Sequence, residues 1–150
     1  MICEIEDIKN TVGRIIGVDF GEVRTGVAVS DASRFLAGGI GYIKVGGSHK
    51  TAEKIAEIAK EQNAAAIVVG CPKNMNGTDG PRSQRCRDFA ELVADATGLP
   101  VAMFDERMTT MAASRFLNET NTRGTKRKGV IDTLSAQIIL QNCLDRLKNI

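Results

Sequence analysis

The chain has 150 residues, of which 43% are hydrophobic and 25% are charged, and its formal net charge is +2. This size predicts one domain with one compact core, and the small net charge excludes a whole-molecule polyelectrolyte. No apolar run approaches the roughly 18 residues that a membrane helix needs, and the acidic opening MICEIEDIKN lacks the regions of a signal peptide. We therefore expect a cytoplasmic protein.

Three short strands are predicted first. Residues 14–20 and 25–30 are largely apolar runs joined by the turn GEVR, and the alternation in TGVAVS is typical of a strand with one packed face. Residues 39–45 alternate as well, although their glycines favour a weaker strand at a sheet edge. We expect an antiparallel meander that ends at Gly46 and Gly47.

The hydrophobic period changes to that of a helix after Ser48. Residues 48–63 carry an apolar stripe at helical spacing, with Ser48 as the N-cap, and the stripe consists of Ala52, Ile55, Ala56 and Ala59. The run AAIVVGC, residues 65–71, is rich in β-branched residues and is followed by Pro72, which predicts a buried strand. A strand, a helix and a strand in this order indicate a parallel crossover.

A turn-rich loop, residues 72–80, leads into a second helix. Its apolar stripe consists of Cys86, Phe89, Ala90, Val93 and Ala96. The segment PVAMFDE is the next strand and ends in two acids. Thr109 then caps a shorter helix, a polar basic loop follows, and Asp132 opens the last helix.

The predicted order is β-β-β-α-β-α-β-α-α. This order indicates an α/β fold with a mixed five-stranded sheet, a three-strand antiparallel meander plus two parallel strands, with helices on both faces. The carboxyl ends of RIIGVDF, AAIVVGC and PVAMFDE then lie along one rim of the sheet.

Acidic residues follow this predicted rim. Asp19, Asp105 and Glu106 stand at strand ends, and Asp132 lies four residues before Ala136 on the inward stripe of the last helix. Clustered carboxylates repel each other unless a cation binds among them, and oxygen ligands without His or Cys suit Mg²⁺ or Mn²⁺. Such a site offers metal-dependent phosphodiester cleavage.

Each acid alone also has a structural explanation. Asp132 could be an N-cap, Asp19 could stabilise an Asx-turn, and DER could be a surface ion-pair segment. Successive residues of a strand face opposite sides, so only one of the two acids in DER can join the site. Asp105 could instead pair with Arg24 or Arg107.

The histidine and the cysteines give no sign of a metal or disulfide site, whereas the basic residues are clustered. His49 lies in the first turn of an amphipathic helix, where we expect it to be solvated, and the scattered cysteines lack the spacing of a zinc site or a disulfide framework. Positive charge is concentrated in two segments that could bind nucleic acid, with Lys73, Arg82, Arg85 and Arg87 in the first and Arg123, Lys126, Arg127 and Lys128 in the second.

Four segments of the chain together resemble the YqgF/RuvX family. They are GVDFGEVRTGVAVSD, IVVGCPKNMNGTDGPRSQRCRDFAELV, VAMFDERMTTMAA and KGVIDTLSAQIILQNCL, and they occur in the family's order. The family comprises Holliday junction resolvases with the ribonuclease H fold that are also described as nucleases maturing the 5′ end of pre-16S ribosomal RNA. The resemblance covers almost all of residues 13–144.

The resemblance implies roles for particular residues. Asp19, Glu106 and Asp132 correspond to the family's catalytic acids, and as metal ligands they would hold Mg²⁺ or Mn²⁺. The GCPKNMNGTDG loop, with Lys73 and Asn74, lies where a substrate strand would pass. We therefore expect a metal-dependent nuclease that acts on structured nucleic acid.

The expected substrate is RNA, with 5′-end processing of pre-16S ribosomal RNA favoured and pre-ribosomal particles as partners. The alternatives are a resolvase of branched DNA, which as a symmetric cutter would be a homodimer rather than a monomer, and a non-catalytic accessory that binds nucleic acid. A third hypothesis is an actin-like or sugar-kinase ATPase. It requires a second domain, for which 150 residues leave no room.

The family pattern also suggests a domain division. Residues 13–150 are expected to form a single ribonuclease H-like domain, and residues 1–12 have no counterpart in the pattern. We expect this N-terminal extension to be frayed, or its start to be misassigned.

Overall fold

The computed structural model describes residues 2–21, 23–71, 81–105 and 124–149. In chain order its elements are β1 (Ile2–Cys3), α1 (Ile5–Lys9), β2 (Arg14–Asp19), β3 (Thr25–Ser30), β4 (Ala37–Ile43), α2 (Ser48–Glu61), β5 (Ala64–Cys71), α3 (Pro81–Thr97), β6 (Val101–Asp105) and α4 (Gly124–Lys148). The shorter helix expected from Thr109 lies outside the described residues.

The strands form one sheet in the order β1-β6-β5-β2-β3-β4. β2, β3 and β4 pair antiparallel as the predicted meander, and β5 and β6 add to β2 as parallel strands. The mixed α/β sheet with helices on both faces is confirmed. The sheet has six strands rather than the five expected, because β1 pairs in parallel with β6 at the edge.

This sixth strand shows that the expectation of a frayed N-terminus is wrong. Ile2 pairs with Val101, and Ile5 and Ile8 of α1 are buried in the core. The backbone N–H of Glu4 donates to the Asp7 carboxylate at 3.0 Å, which closes the first turn of α1. A two-residue strand and a five-residue helix are too short to produce a periodic signal. The division of the chain at residue 13 stays a prediction.

Two hydrophobic cores lie on the two faces of the sheet. On one face, α2 and α3 cover residues such as Ile16 and Val18. On the other face, α1 and α4 cover alternate positions such as Ile15 and Ala66. A Cβ added to Gly17 would lie 2.7 Å from the Cβ of Leu140, so this glycine allows α4 to pack closely on β2.

The helices differ from prediction mainly at their ends. α2 begins after Gly47, which replaces Ser48 as the N-cap, and it ends at Glu61. In α3 the predicted stripe is buried except for Ala96, which is exposed, whereas Ala94 is buried. No helix among the described residues is long and apolar enough to span a membrane.

The start of α4 is the largest correction. The helix begins at Gly124, eight residues before Asp132, so the basic segment from Lys126 to Lys128 is helical and Asp132 is not an N-cap. Lysine and arginine are good helix formers, and no proline interrupts the segment. The N-cap preference of aspartate therefore gave a misleading local signal.

Candidate active site

The carboxyl ends of three parallel strands meet at one rim of the sheet, as predicted. Asp19, the last residue of β2, pairs with Gly26 of β3 on one side and with Gly70 of β5 on the other. Gly70 in turn pairs with Phe104 of β6, and Cys71 pairs with Asp105, the last residue of β6.

The packing of its neighbours explains why Asp19 stands between two hydrophobic residues. Val18 and Phe20 both belong to the core beneath α2 and α3, where the Phe20 ring stacks on Phe89 with centroids 4.1 Å apart. Successive residues of a strand face opposite sides, so Asp19 faces α4. Its side chain is partly buried at the rim.

Asp132 reaches the same point from α4. A Cβ added to Gly26 would collide with the backbone carbonyl oxygen of Asp132, so only glycine permits this approach of the helix to β3. Because Gly26 is also the register partner of Asp19, the backbones of the two aspartates meet at this glycine. The structure therefore brings the backbones of Asp19 and Asp132 together at this rim.

The Asp132 carboxylate forms an ion pair with Arg24, the residue before β3. Arg24 Nε donates to Asp132 Oδ2 at 2.6 Å, and the two side chains are 24% and 22% exposed. Burial raises the pKa of the Asp132 carboxyl above its usual range, and the Arg24 guanidinium only partly opposes this effect. Sequence reasoning had offered Arg24 as a partner of Asp105, whereas in the structure Arg24 pairs with Asp132.

A buried hydroxyl lies one helical turn beyond Asp132. Ser135 is 1% exposed, and its Oγ has no hydrogen-bond partner in the part of the chain that the structure describes. Residues three apart on a helix are neighbours, so this hydroxyl lies on the side of α4 that carries Asp132. A buried hydroxyl without a partner costs free energy unless another group satisfies it.

The third predicted acid, Glu106, lies outside the described residues. Within those residues, no three His, Cys, Asp or Glu side chains are grouped closely enough to hold a metal ion. His49, the sole histidine, is exposed on α2 as expected.

The basic residues proposed for nucleic-acid binding lie at helix starts or beyond the described residues. Cys86 Sγ donates to the Gly70 carbonyl at 3.2 Å, which places the first turns of α3 at the rim, and Arg85 is exposed beside it. Arg82 belongs to the start of the same helix, and Lys126, Arg127 and Lys128 belong to the first turns of α4. Lys73, Asn74 and Arg123 lie outside the described residues.

Sequence reasoning missed the role of Gly26 and the partner of Arg24. Gly26 interrupts an apolar strand pattern, and such a glycine often marks the close approach of another backbone, so its signal was present in TGVAVS. The pairing of Arg24 with Asp132 joins residues 108 apart and has no local signal.

The chain matches known proteins over most of its length. A family model described as "RuvX: Holliday junction resolvase" matches residues 13–146. A protein of Ruminiclostridium cellulolyticum named "Putative pre-16S rRNA nuclease" is 43% identical over 135 residues, covering 89% of this chain and 95% of the relative. A protein of the same name in Clostridioides difficile is 48% identical over 133 residues, covering 89% and 94%.

Solved structures share the fold at low sequence identity. Thermus thermophilus RuvC in complex with Holliday junction substrate has a TM-score of 0.55 at 13% identity, covering 91% of this chain and 96% of that chain. The fowlpox virus Holliday junction resolvase has a TM-score of 0.52 at 13% identity, covering 91% and 99%. These likenesses confirm the expected ribonuclease H-like fold.

Proposed function

Because this chain belongs to the RuvX family of Holliday junction resolvases, we propose that it is a metal-dependent nuclease that hydrolyses phosphodiester bonds in structured nucleic acid. The observation that carries the proposal is the meeting of Asp19 and Asp132 at Gly26, where a strand end and a helix bring two carboxylates to one rim. An acidic site at the carboxyl ends of parallel strands is a common location for catalysis in α/β folds.

The favoured reaction is processing of the 5′ end of pre-16S ribosomal RNA, in association with pre-ribosomal particles. Relatives at 43% and 48% identity carry the name of a pre-16S rRNA nuclease. The resolvase structures are only 13% identical to this chain, so they support the fold and not the substrate. Cleavage of branched DNA is the second candidate, because the matching family model carries the description of a resolvase.

The residues present fit a divalent cation. Asp19, Asp132 and Glu106 would hold Mg²⁺ or Mn²⁺, because carboxylate oxygens are the ligands that these ions prefer. The glycine at position 26 leaves room for the approach of Asp132, and the unpartnered hydroxyl of Ser135 offers a further polar group beside it. When bound, the ion supplies charge neutralisation and an activated water for hydrolysis.

The residues of the chain position the substrate and the ligands. Asp19 is fixed by pairing on both sides of β2, so its carboxylate has a rigid support. The resemblance to the RuvX family, rather than any contact among the described residues, favours Glu106 over Asp105 as the third acid.

The basic residues would bind the phosphates of the substrate. The first turns of α3 lie at the rim and carry Arg82 and Arg85. α4 rises about 1.5 Å per residue, so Lys126, Arg127 and Lys128 lie within about 10 Å of Asp132 along the helix. With Lys73, Asn74 and Arg123 they would form a track for the nucleic-acid backbone.

A non-catalytic accessory protein is less consistent with this site. Burial raises the pKa of Asp132, so holding its charged form has a free-energy cost. A carboxylate at a surface that binds phosphates also repels the ligand. Both costs are explained if a cation binds between the acids and the substrate.

Cleavage assays with a structured RNA and a four-way DNA junction, each with Mg²⁺ or Mn²⁺, test this proposal. Asp19→Asn and Asp132→Asn should fold normally and lose cleavage by at least about 100-fold, because each removes a charged ligand. Asp31→Asn, the same change at an exposed aspartate in the turn after β3, should leave cleavage unchanged. Full cleavage by Asp19→Asn of a substrate that the wild type cuts would reject the nuclease site.

A further inference from the structure

Arg24 is held at the site from two sides. A Cβ added to Gly21 would collide with the Arg24 carbonyl oxygen, so the turn before β3 is tightly closed around the Arg24 backbone. Two residues later, Gly26 contacts the backbone of Asp132. The ion pair between Arg24 and Asp132 therefore joins two backbones that other contacts also hold in place.

The contact between Arg24 and Asp132 uses only some of the hydrogen-bonding atoms of each side chain. Arg24 contacts Asp132 Oδ2 through Nε alone. Within the described residues, neither the terminal nitrogens of Arg24 nor Oδ1 of Asp132 make a hydrogen bond. An arginine whose task is only to neutralise a carboxylate commonly uses a two-pronged contact, and the single contact here leaves two donors available.

The unused groups match the two components of a nuclease complex. A guanidinium presents its remaining donors in a planar fork that fits the oxygens of a phosphate. The free oxygen of a carboxylate is a ligand for a divalent cation. Both groups belong to residues at the rim where β2 and β3 meet α4.

We propose that Arg24 is a positioning residue that also contacts the substrate: Nε fixes Oδ2 of Asp132 so that Oδ1 faces the divalent cation, and the terminal nitrogens bind a phosphate of the nucleic acid. This assignment rests on the proposed nuclease function. It also predicts that the positive charge of Arg24 weakens cation binding until the negatively charged substrate arrives, which makes the substrate part of the complete site.

The test measures cation binding and nucleic-acid binding separately in the full chain. Mn²⁺ binding is titrated by calorimetry without nucleic acid, and binding of a structured RNA hairpin is measured in EDTA at several salt concentrations. The variants are Arg24→Gln and Arg24→Lys. The matched control is Arg14→Gln, because Arg14 is exposed at the opposite end of β2, where Nη1 donates to Gln62 Oε1 at 2.9 Å.

Arg24→Gln should bind Mn²⁺ about three- to tenfold more tightly, because removing a positive charge near the cation outweighs losing the orientation of Asp132. It should bind the RNA more weakly, with a salt slope reduced by about one phosphate contact. Arg24→Lys keeps the charge and should restore the wild-type Mn²⁺ affinity, but an ammonium cannot hold the carboxylate and a phosphate together, so RNA affinity should recover only in part. Arg14→Gln should change neither measurement.

Three results would overturn the assignment. If Arg24→Gln weakens Mn²⁺ binding and leaves RNA binding unchanged, Arg24 only orients Asp132. If it changes neither titration while Asp19→Asn abolishes Mn²⁺ binding, the metal site stands and the role of Arg24 is wrong. If the wild type binds no Mn²⁺, or Asp19→Asn and Asp132→Asn bind it as the wild type does, the proposed metal site fails and the Arg24 assignment fails with it.

Discussion

The two ends of the β2–β3 hairpin each combine an aspartate with an arginine, but they use these residues differently. At the end where β2 begins and β3 finishes, Asp31 and Arg34 have many hydrogen bonds. At the turn end, Arg24 and Asp132 have one bond between them among the described residues. The same residue types therefore serve as a structural clamp at one end and as candidate functional groups at the other.

The structural end satisfies its charges with the chain itself. Arg34 Nε donates to the Gly13 carbonyl at 2.7 Å, and its terminal nitrogens donate to the Ile8 carbonyl at 3.1 Å and to Thr11 Oγ1 at 2.6 Å. These bonds fasten α1 and the segment after it to the sheet. The Asp31 carboxylate accepts bonds from the Ser33 hydroxyl and from the backbone, which lower its pKa.

At the turn end, the charges of Arg24 and Asp132 make one contact with each other among the residues that the structure describes. Burial raises the pKa of Asp132, in contrast to the lowered pKa of Asp31. Titratable groups with costly environments are frequent at functional sites, because a ligand or a cation provides the missing interactions. The number of hydrogen bonds that each charged group makes, rather than its residue type, therefore separates the structural end of the hairpin from the candidate functional end.

The largest expected effect comes from Gly26→Ala. The new methyl group would collide with the Asp132 carbonyl oxygen, so α4 must shift away from β3, and we expect a loss of about 3 kcal/mol in the free energy of unfolding. Gly38→Ala is the matched control, because the nearest atom to its Cβ is the Val29 carbonyl oxygen at 3.9 Å. Urea unfolding measures both variants. Equal stability of the two variants would show that the packing of α4 on β3 does not require glycine at position 26.

The second-largest loss of stability is expected at the other end of the hairpin, for substitutions of Arg34. Arg34→Ala removes the Arg34 donor to the Gly13 carbonyl and the guanidinium contacts with Ile8 and Thr11, and we expect a loss of about 2 to 3 kcal/mol in the free energy of unfolding. Arg34 has a φ of 62°, in the left-handed region. Arg34→Gly therefore loses the same bonds but should be about 1 kcal/mol more stable than Arg34→Ala.

The stability of Arg24→Gln is to be compared with that of Arg34→Ala. It removes a single bond, and we expect it to change the free energy of unfolding by less than about 1 kcal/mol. A larger loss in Arg24→Gln than in Arg34→Ala, measured under the same conditions, would reverse the assignment of structural and functional ends.

The central strands and the rim were predictable from sequence, because the signals for β2, β3, β5 and β6 are local. Alternation and β-branched residues identify these strands, and parallel pairing brings their ends together. The side to which Asp19 faces follows from its apolar neighbours alone. In these regions, local pattern and long-range packing agree.

The remaining features depend on distant pairing. β1 pairs with a strand about 100 residues later, and its two residues carry no pattern of their own. The start of α4 was missed because Asp132 is a favourable N-cap residue, while the basic residues before it are good helix formers. The Arg24 contact required the packing of α4 on β3 to be known.

The smallest expected effect is a difference in pH dependence between Asp132→Asn and Asp31→Asn, measured by urea unfolding in EDTA. In the wild type the folded pKa of Asp132 is raised above 3.8, so its ionisation costs stability as the pH rises through the folded pKa. Asp132→Asn removes this cost and should be more stable than the wild type at pH 7 by less than about 1 kcal/mol, with the difference vanishing below pH 3.8.

Asp31 should behave in the opposite way. Its folded pKa is lowered from 3.8, so the ionised carboxylate contributes stability above pH 3.8 that is lost as the pH falls through the folded pKa. Asp31→Asn should therefore be less stable than the wild type at neutral pH, and the two curves should converge in acid. Because the two variants carry the same change, one beside each end of the hairpin, the sign of the difference reports the environment of each carboxylate. A loss of stability at neutral pH in both variants would show that the ionised Asp132 carboxylate is stabilised in the folded state, as that of Asp31 is.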